Sequence, residues 1–402
     1  MTANQQKQMI ILMINMFIAI GSFGIIIPIL PAYLKSIHQG GVAAGLMIAI
    51  FAGFQLIFSP VAGRWADQYG RKKMIVYGLA GLTLSMFIFY AFDSIWWLYA
   101  SRVIGGIGAA LLVPAIFAYI ADITTLDQRA KGNSYISAAM SLGIVVGPGV
   151  GGFLADYGLK MPFLVSALVS LVSVIFSVAV LKESQSKEAS QAAQSQGKAE
   201  SMLKKLTLSV NMPYFIPLII TLVMSFGLMA YESVLGLFIA NQFGANTQQI
   251  ALMITSTGII SVIVQLFIVD RIVHKFGEKA VLNVFLFVAA IGFLLSVFAK
   301  DYVLFFGITL LIFLASSILR PVLNTLISKL AGNEQGFAMG LNNSYMSIGN
   351  ILGPTLAGIL YDVQILIPFM MGFVLLVLTL FITILWQRQS YKSGALHKSK
   401  QY

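Results

Sequence analysis

Apolar residues run in blocks of about 20–28 along this chain, and nearly every charged residue falls in the short polar gaps between them. A bilayer core about 30 Å thick needs about 20 mostly apolar residues per helical crossing. Twelve blocks meet that length, at approximately 9–33, 43–63, 74–92, 96–120, 133–155, 161–181, 213–240, 248–269, 280–299, 302–326, 337–361 and 366–386. The first starts just after Lys7 and has no small-residue cleavage pattern beyond it, so it is expected to be a retained span rather than a removed leader. The pattern predicts an all-α membrane protein.

Three charges break the rule. Arg102, Glu232 and Arg320 sit inside spans four, seven and ten. An ion inside the bilayer costs roughly 2.5–3.5 kcal/mol even on lenient insertion scales, so each is a functional candidate. Glu232 is the one acid among them, and a lone carboxylate in an apolar bundle can gain and lose a proton. Two plainer readings compete: Arg102, about six residues from the outer end of its span, could snorkel, and Glu232 could form a static ion pair with Arg320 or Arg102.

Composition agrees with the spans. Of 402 residues 58% are apolar and 10% charged, against about 25% charged in soluble domains. The net charge of +11 raises the possibility of nucleic-acid binding. Its distribution excludes that: with the N-terminus inside, 20 of the 25 Lys and Arg fall in inside segments and only Lys35, Lys160 and Lys300 fall outside. That bias predicts cytoplasmic termini. There is no Cys, hence no disulfide or thiolate metal site, and the three His (His38, His274, His397) lie in gaps or the tail, so no metal site or cofactor is expected.

The segment 182–211 is rich in Ser, Gln, Ala and Lys and reads as a flexible cytoplasmic linker. It separates a half at 1–181 from a half at 212–387, with a cytoplasmic tail at 388–402. The halves repeat one another. Pro114 and Asp127-Gln128 recur as Pro321 and Glu334-Gln335, 207 positions on; Gly147-Pro148 and Asp156 recur as Gly353-Pro354 and Asp362, 206 positions on; Ser22-Phe23-Gly24 recurs as Ser225-Phe226-Gly227. Two pseudo-symmetric six-helix halves are typical of carriers whose substrate site lies at the midplane.

Motifs then narrow the class. Gly63-Arg64-Trp65-Ala66-Asp67-Gln68-Tyr69-Gly70-Arg71-Lys72-Lys73 fills the gap between spans two and three and resembles the G-x-x-x-D-x-x-G-R-[RK]-x signature of the major facilitator superfamily. Arg102 through Ala110 resembles that family's R-x-x-x-G-x-G-A-A stretch, whose Arg is implicated in proton handling. Gly143 through Gly152, containing Gly147-Pro148, resembles the G-x-x-x-G-P-x-x-G-G motif of its exporters. Within the family the chain resembles the twelve-span drug:proton antiporters of Gram-positive bacteria, of the NorA and Bmr type.

That resemblance implies a major facilitator fold of 12 transmembrane helices in the bacterial cytoplasmic membrane, acting as a monomer on small amphipathic drugs such as fluoroquinolones and dyes. It implies proton coupling at Glu232 and Arg102, and substrate contacts from Phe51, Gln55, Phe313, Arg320 and Asn350. It also implies gating at Asp67, Arg71, Asp122, Gly147 and Pro148, with Arg71 pairing with Asp122 and Asp67 facing the start of span eleven. One departure stands out: where such pumps often carry an acid three positions before the Arg of span ten, this chain has Ser317. The core therefore offers one carboxylate. The alternatives are a proton-coupled sugar or metabolite carrier of the same superfamily, a membrane enzyme and a transporter-like sensor. A sugar site needs many hydrogen-bonding groups, and this interior is mostly Met, Phe, Ile and Leu. No H-E-x-x-H, G-x-S-x-G or Walker pattern supports an enzyme, and no segment is long enough for a folded sensor domain.

Overall fold

A backbone that cannot hydrogen-bond to lipid must satisfy itself, and the apolar blocks do so as helices. The computed structural model describes residues 3–184, 209–210, 212–331 and 335–398; most of the predicted linker, Glu334 of the repeat and the last residues of the tail lie outside them. Among the described residues the regular structure is helical throughout. The helices are α1 (Ala3–Ser36), α2 (Gly41–Tyr69), α3 (Arg71–Ala91), α4 (Ile95–Ile123), α5 (Leu126–Leu154), α6 (Met161–Val180), α7 (Phe215–Phe243), α8 (Thr247–Phe267), α9 (Val269–Phe276), α10 (Glu278–Phe298), α11 (Tyr302–Ala331), α12 (Gln335–Val363) and α13 (Ile367–Lys398).

Eleven of these are long and apolar enough to cross a membrane among the described residues. The long helix outside that set is α12, the eleventh predicted span, where Asn342, Asn343, Ser344, Ser347 and Asn350 dilute the apolar content. Helix α13 continues to Lys398, well past the predicted start of the tail.

The repeat is visible in the turns. Gly70 (φ +104°) separates α2 from α3, and Gly277 (φ +75°) separates α9 from α10, a backbone region glycine enters without strain. The copies differ just before that turn. Helix α2 runs unbroken to Tyr69, whereas its counterpart stops at Phe267 and restarts as the eight-residue α9, which exposes Arg271, His274 and Lys275.

The chain divides into two compact units, Met1–Ala199 with Gly236–Gly258, and Glu200–Leu235 with Ile259–Tyr402. In the first unit Leu12, Met16, Ile75, Leu79, Leu112, Ile116 and Tyr119 form a buried core. Helix α5 is bare on two faces. Gly143, Gly147 and Gly151 lie against the backbone of α1 at Gly21 and Ile25, so close that a Cβ on Gly147 would come 2.6 Å from the Gly21 carbonyl. Its other face sets Gly149 near Thr255 and Gly152 on Ala251 of α8. The sequence repeat assigns Gly236–Gly258 to the second half. Packing joins it to the first six helices instead, with Gly236 on Pro31 and Gly258 on Val145. Asp156, just beyond α5, accepts two 2.6 Å hydrogen bonds from Gln248 Nε2 of α8.

In the second unit α12 approaches α7 the same way, Gly349 lying on the Leu222 carbonyl and Gly353 on Phe226. Around Tyr231, fully buried on α7, stand Phe293, Phe305, Phe313 and Phe369 from α10, α11 and α13, with centroids 5.2–6.4 Å away. Its hydroxyl meets Thr309 Oγ1 at 2.8 Å.

Candidate functional site

Arg102 does not snorkel. It is 2% exposed and turns inward, where Nη2 donates to Ser85 Oγ (3.2 Å) and Ser101 Oγ (3.3 Å). The two serines hold each other: their hydroxyls are 3.0 Å apart, and Ser101 Oγ donates to the Ser85 carbonyl at 2.8 Å. The guanidinium lies over the Phe89 ring at 4.4 Å and beside Phe51 at 5.9 Å. Such cation–π contacts give partial compensation for lost hydration. Among the described residues no carboxylate pairs with Arg102, and its Nε has no partner.

The glycines after Arg102 make this enclosure possible. Gly106 lets α2 approach so closely that a Cβ would sit 2.5 Å from the Phe51 carbonyl. Gly108 does the same toward Gly78 of α3. Helix α4 is thus wedged between α2, which brings Phe51, and α3, which brings Ser85 and Phe89. Phe51 and Gln55 are both half-buried, one turn apart on α2, and Phe51 also packs on Phe23 at 5.1 Å. The expected proton-handling Arg and the expected drug-contacting Phe are therefore in contact.

Glu232 is held differently. It is half-buried on α7 and makes neither a hydrogen bond nor an ion pair among the described residues, so the static ion pair is not formed. Its neighbour Tyr231, locked in the aromatic box, fixes the rotation of α7 and so the face from which Glu232 projects. Phe313 is a half-buried wall of that box. Arg320 is exposed and makes no close ion pair among the described residues, but its charge acts on Glu232 through space. Asn350 on α12 keeps a buried Oδ1 with no partner. Ser317, where an acid was looked for, spends its hydroxyl on its own helix at the Phe313 carbonyl (2.6 Å).

At the N-terminus of α3 the gating residues assemble. Arg71 Nε reaches Asp122 Oδ2 at 3.3 Å, the pair implied by the family resemblance, and Arg71 also pairs with Asp67, which was not expected. The start of span eleven, which Asp67 was expected to face, lies outside the described side chains. Sequence reasoning missed Glu183, which it placed in a loose linker. Its carboxylate accepts from the backbone N–H of Arg71 (2.8 Å) and Lys72 (3.2 Å), satisfying two of the otherwise orphaned amides of α3. It fills the space where a Cβ of Gly70 would stand. Ser184 Oγ donates to Asp122 at 2.8 Å. An acid set two positions after the last apolar residue of span six was the available signal. Gly147 and Pro148 are buried on the α1 side of α5, Pro148 lying close to Gly24.

Three comparisons bear on this arrangement. The family model of the Major Facilitator Superfamily matches residues 12–238 and 217–401. The chain is 42% identical to multidrug resistance protein 2 of Bacillus subtilis over 98% of this chain and 99% of that one. It is 35% identical to the quinolone resistance protein NorA of Staphylococcus aureus, over 91% and 93%. Among solved structures, a bacterial homologue of the human lysosomal transporter Spinster superposes with a TM-score of 0.77 at 14% identity, over 96% and 98% of the two chains. That likeness concerns the fold alone.

Proposed function

The chain belongs to the Major Facilitator Superfamily, and on that premise we propose that it is a proton-driven exporter of amphipathic drugs. Its similarity to proteins named for multidrug and quinolone resistance supports drugs as the cargo. It acts as a carrier, not an enzyme, in the cytoplasmic membrane. Helix α12 is counted as a twelfth span on the strength of the internal repeat, both termini are cytoplasmic, and the monomer is the working unit.

The observation that carries proton coupling is Glu232: a carboxyl inside a span, half-buried, with no hydrogen bond and no close ion pair among the described residues, and with Arg320 as its charged neighbour. In the proposed cycle it takes up a proton from outside and the neutral carboxyl permits the empty site to reorient. Substrate and proton then compete on the inside, and the proton leaves to the cytoplasm. Phe51, Gln55, Phe313, Arg320 and Asn350 are the proposed drug contacts. Gln55 and Asn350 offer amides, and the buried unpartnered Oδ1 of Asn350 calls for a donor. The cluster of Asp67, Arg71, Asp122 and Glu183 stiffens the cytoplasmic end of the first unit, and Gly147-Pro148 gives α5 its close approach to α1.

The test is drug-induced proton release in inside-out vesicles, with wild type and Glu232→Gln given norfloxacin or ethidium. Coupled flux in the wild type that disappears in the variant supports the reading. Undiminished coupling in Glu232→Gln moves the proton elsewhere, and no flux with any drug in the wild type removes the multidrug assignment.

A further inference from the structure

Among the described residues Arg102 is a cation enclosed without a counter-ion. A guanidinium carries five N–H donors; here only Nη2 makes hydrogen bonds, both to serine hydroxyls, and Nε is buried with no partner. Two neutral hydroxyls and two ring faces do not balance a full positive charge in an apolar interior, where breaking or omitting a pair costs several kcal/mol. The surroundings are nevertheless precise. Ser85 and Ser101 are locked to each other, Phe89 fixes the guanidinium plane at 4.4 Å, and Gly105 is bare so that both Ser85 Oγ and the Phe51 ring can close in, 2.8 and 3.2 Å from where its Cβ would be. A planar, oriented, unpaired guanidinium is suited to a planar oxyanion, which it binds through two parallel hydrogen bonds.

We propose that Arg102, held by Ser85 and Ser101, is a recognition site for a carboxylate on the transported compound, and that Phe51 is its cover. The ring stands beside the guanidinium at 5.9 Å, but it is half-buried and so reachable from its other side. An aromatic acid can stack on Phe51, displace it toward Phe23 and present its carboxylate to the Arg102 donors. The site thus selects, among amphipathic drugs, those that carry an acid on a flat ring system. This deepens the drug-carrier reading and rests on it.

The test needs no mutation to begin. Norfloxacin and its methyl ester share scaffold and amine and differ in the carboxylate. Binding of each is measured on the purified full-length protein at neutral pH. We expect the acid to bind tighter by about tenfold, the effect of one good charge-assisted contact. That preference should shrink to about threefold in Ser85→Ala/Ser101→Ala, which frees the guanidinium to wander, and further in Arg102→Lys, which keeps the charge and loses the planar fork. Equal binding of acid and ester by the wild type overturns the carboxylate site and leaves the drug-carrier reading intact. A preference that is undiminished in both variants overturns it as well. If the wild type binds neither compound, the drug-carrier reading falls and takes the site with it.

Discussion

Arg102 and Glu232 are opposite answers to the same cost. Both are ions inside a span. Arg102 is wrapped until 2% of it is exposed, and a shell of hydroxyls and rings fixes its plane. Glu232 is left half-buried and unbonded, while its neighbour Tyr231 absorbs the rigidity. In the proposed cycle the molecule separates a cation that keeps its charge, Arg102, from a switchable acid, Glu232, one on each compact unit.

Experiments can break or sharpen that contrast. The largest effect is expected from removing the anchor of the switchable side. Tyr231→Ala empties the aromatic box and should cost about 3–5 kcal/mol, as for other large-to-small core changes, read as a fall in the thermal unfolding midpoint of the detergent-solubilised protein. A loss below 1 kcal/mol would mean that the box does not hold α7.

Next comes the shell of the permanent charge. Ser85→Ala leaves a buried donor of Arg102 unsatisfied and should cost about 1–3 kcal/mol. Adding Ser101→Ala should cost less than the sum of the two single changes, because the hydroxyls support each other. Strict additivity would separate them.

A third comparison uses the driving force. One proton entering down ~100 mV carries about 2.3 kcal/mol, and one pH unit adds about 1.4 kcal/mol. With one switchable acid, exchange of a proton for a neutral or zwitterionic drug draws on both and sustains a gradient of roughly 10²–10³. Exchange for a monovalent cation is electroneutral and sustains about tenfold, from the pH term alone. Norfloxacin accumulation in inside-out vesicles should therefore respond to membrane potential and ethidium accumulation should not. Steep voltage dependence for ethidium would require a second proton site.

The smallest effect is expected at Glu183. Glu183→Ala uncaps α3 and should cost about 0.5–2 kcal/mol, while Glu183→Gln, which can still accept, should cost less. Equal losses would point to the charge rather than the cap.

Much of this was legible in the chain. Apolar block length gave the helices, and the family resemblance gave the Arg71–Asp122 pair, though not the pairing of Arg71 with Asp67. What escaped detection was whatever depends on which helix faces which. Ser85 and Ser101 look like ordinary small residues until α3 and α4 are seen to place them against Arg102. The stretch Gly236–Gly258 follows the repeat by sequence and α1 and α5 by packing, because glycine contacts there are set by shape and leave no periodic signal. Glu183 was masked by its polar neighbours: composition describes a segment, and one carboxylate at a helix start is a matter of position.

The cap at Glu183 also bears on how the protein is made. Its partner amides lie 112 and 111 residues earlier, so as the chain emerges from the ribosome the first amides of α3 go without this acceptor until the whole of α6 has been synthesised. Contacts between such distant residues close late because the intervening chain must be ordered first. The loop carrying Asp67 and Arg71 is thus finished by a residue just past α6, and a nascent chain stopped short of Glu183 would hold the first six helices with the loop still unfastened.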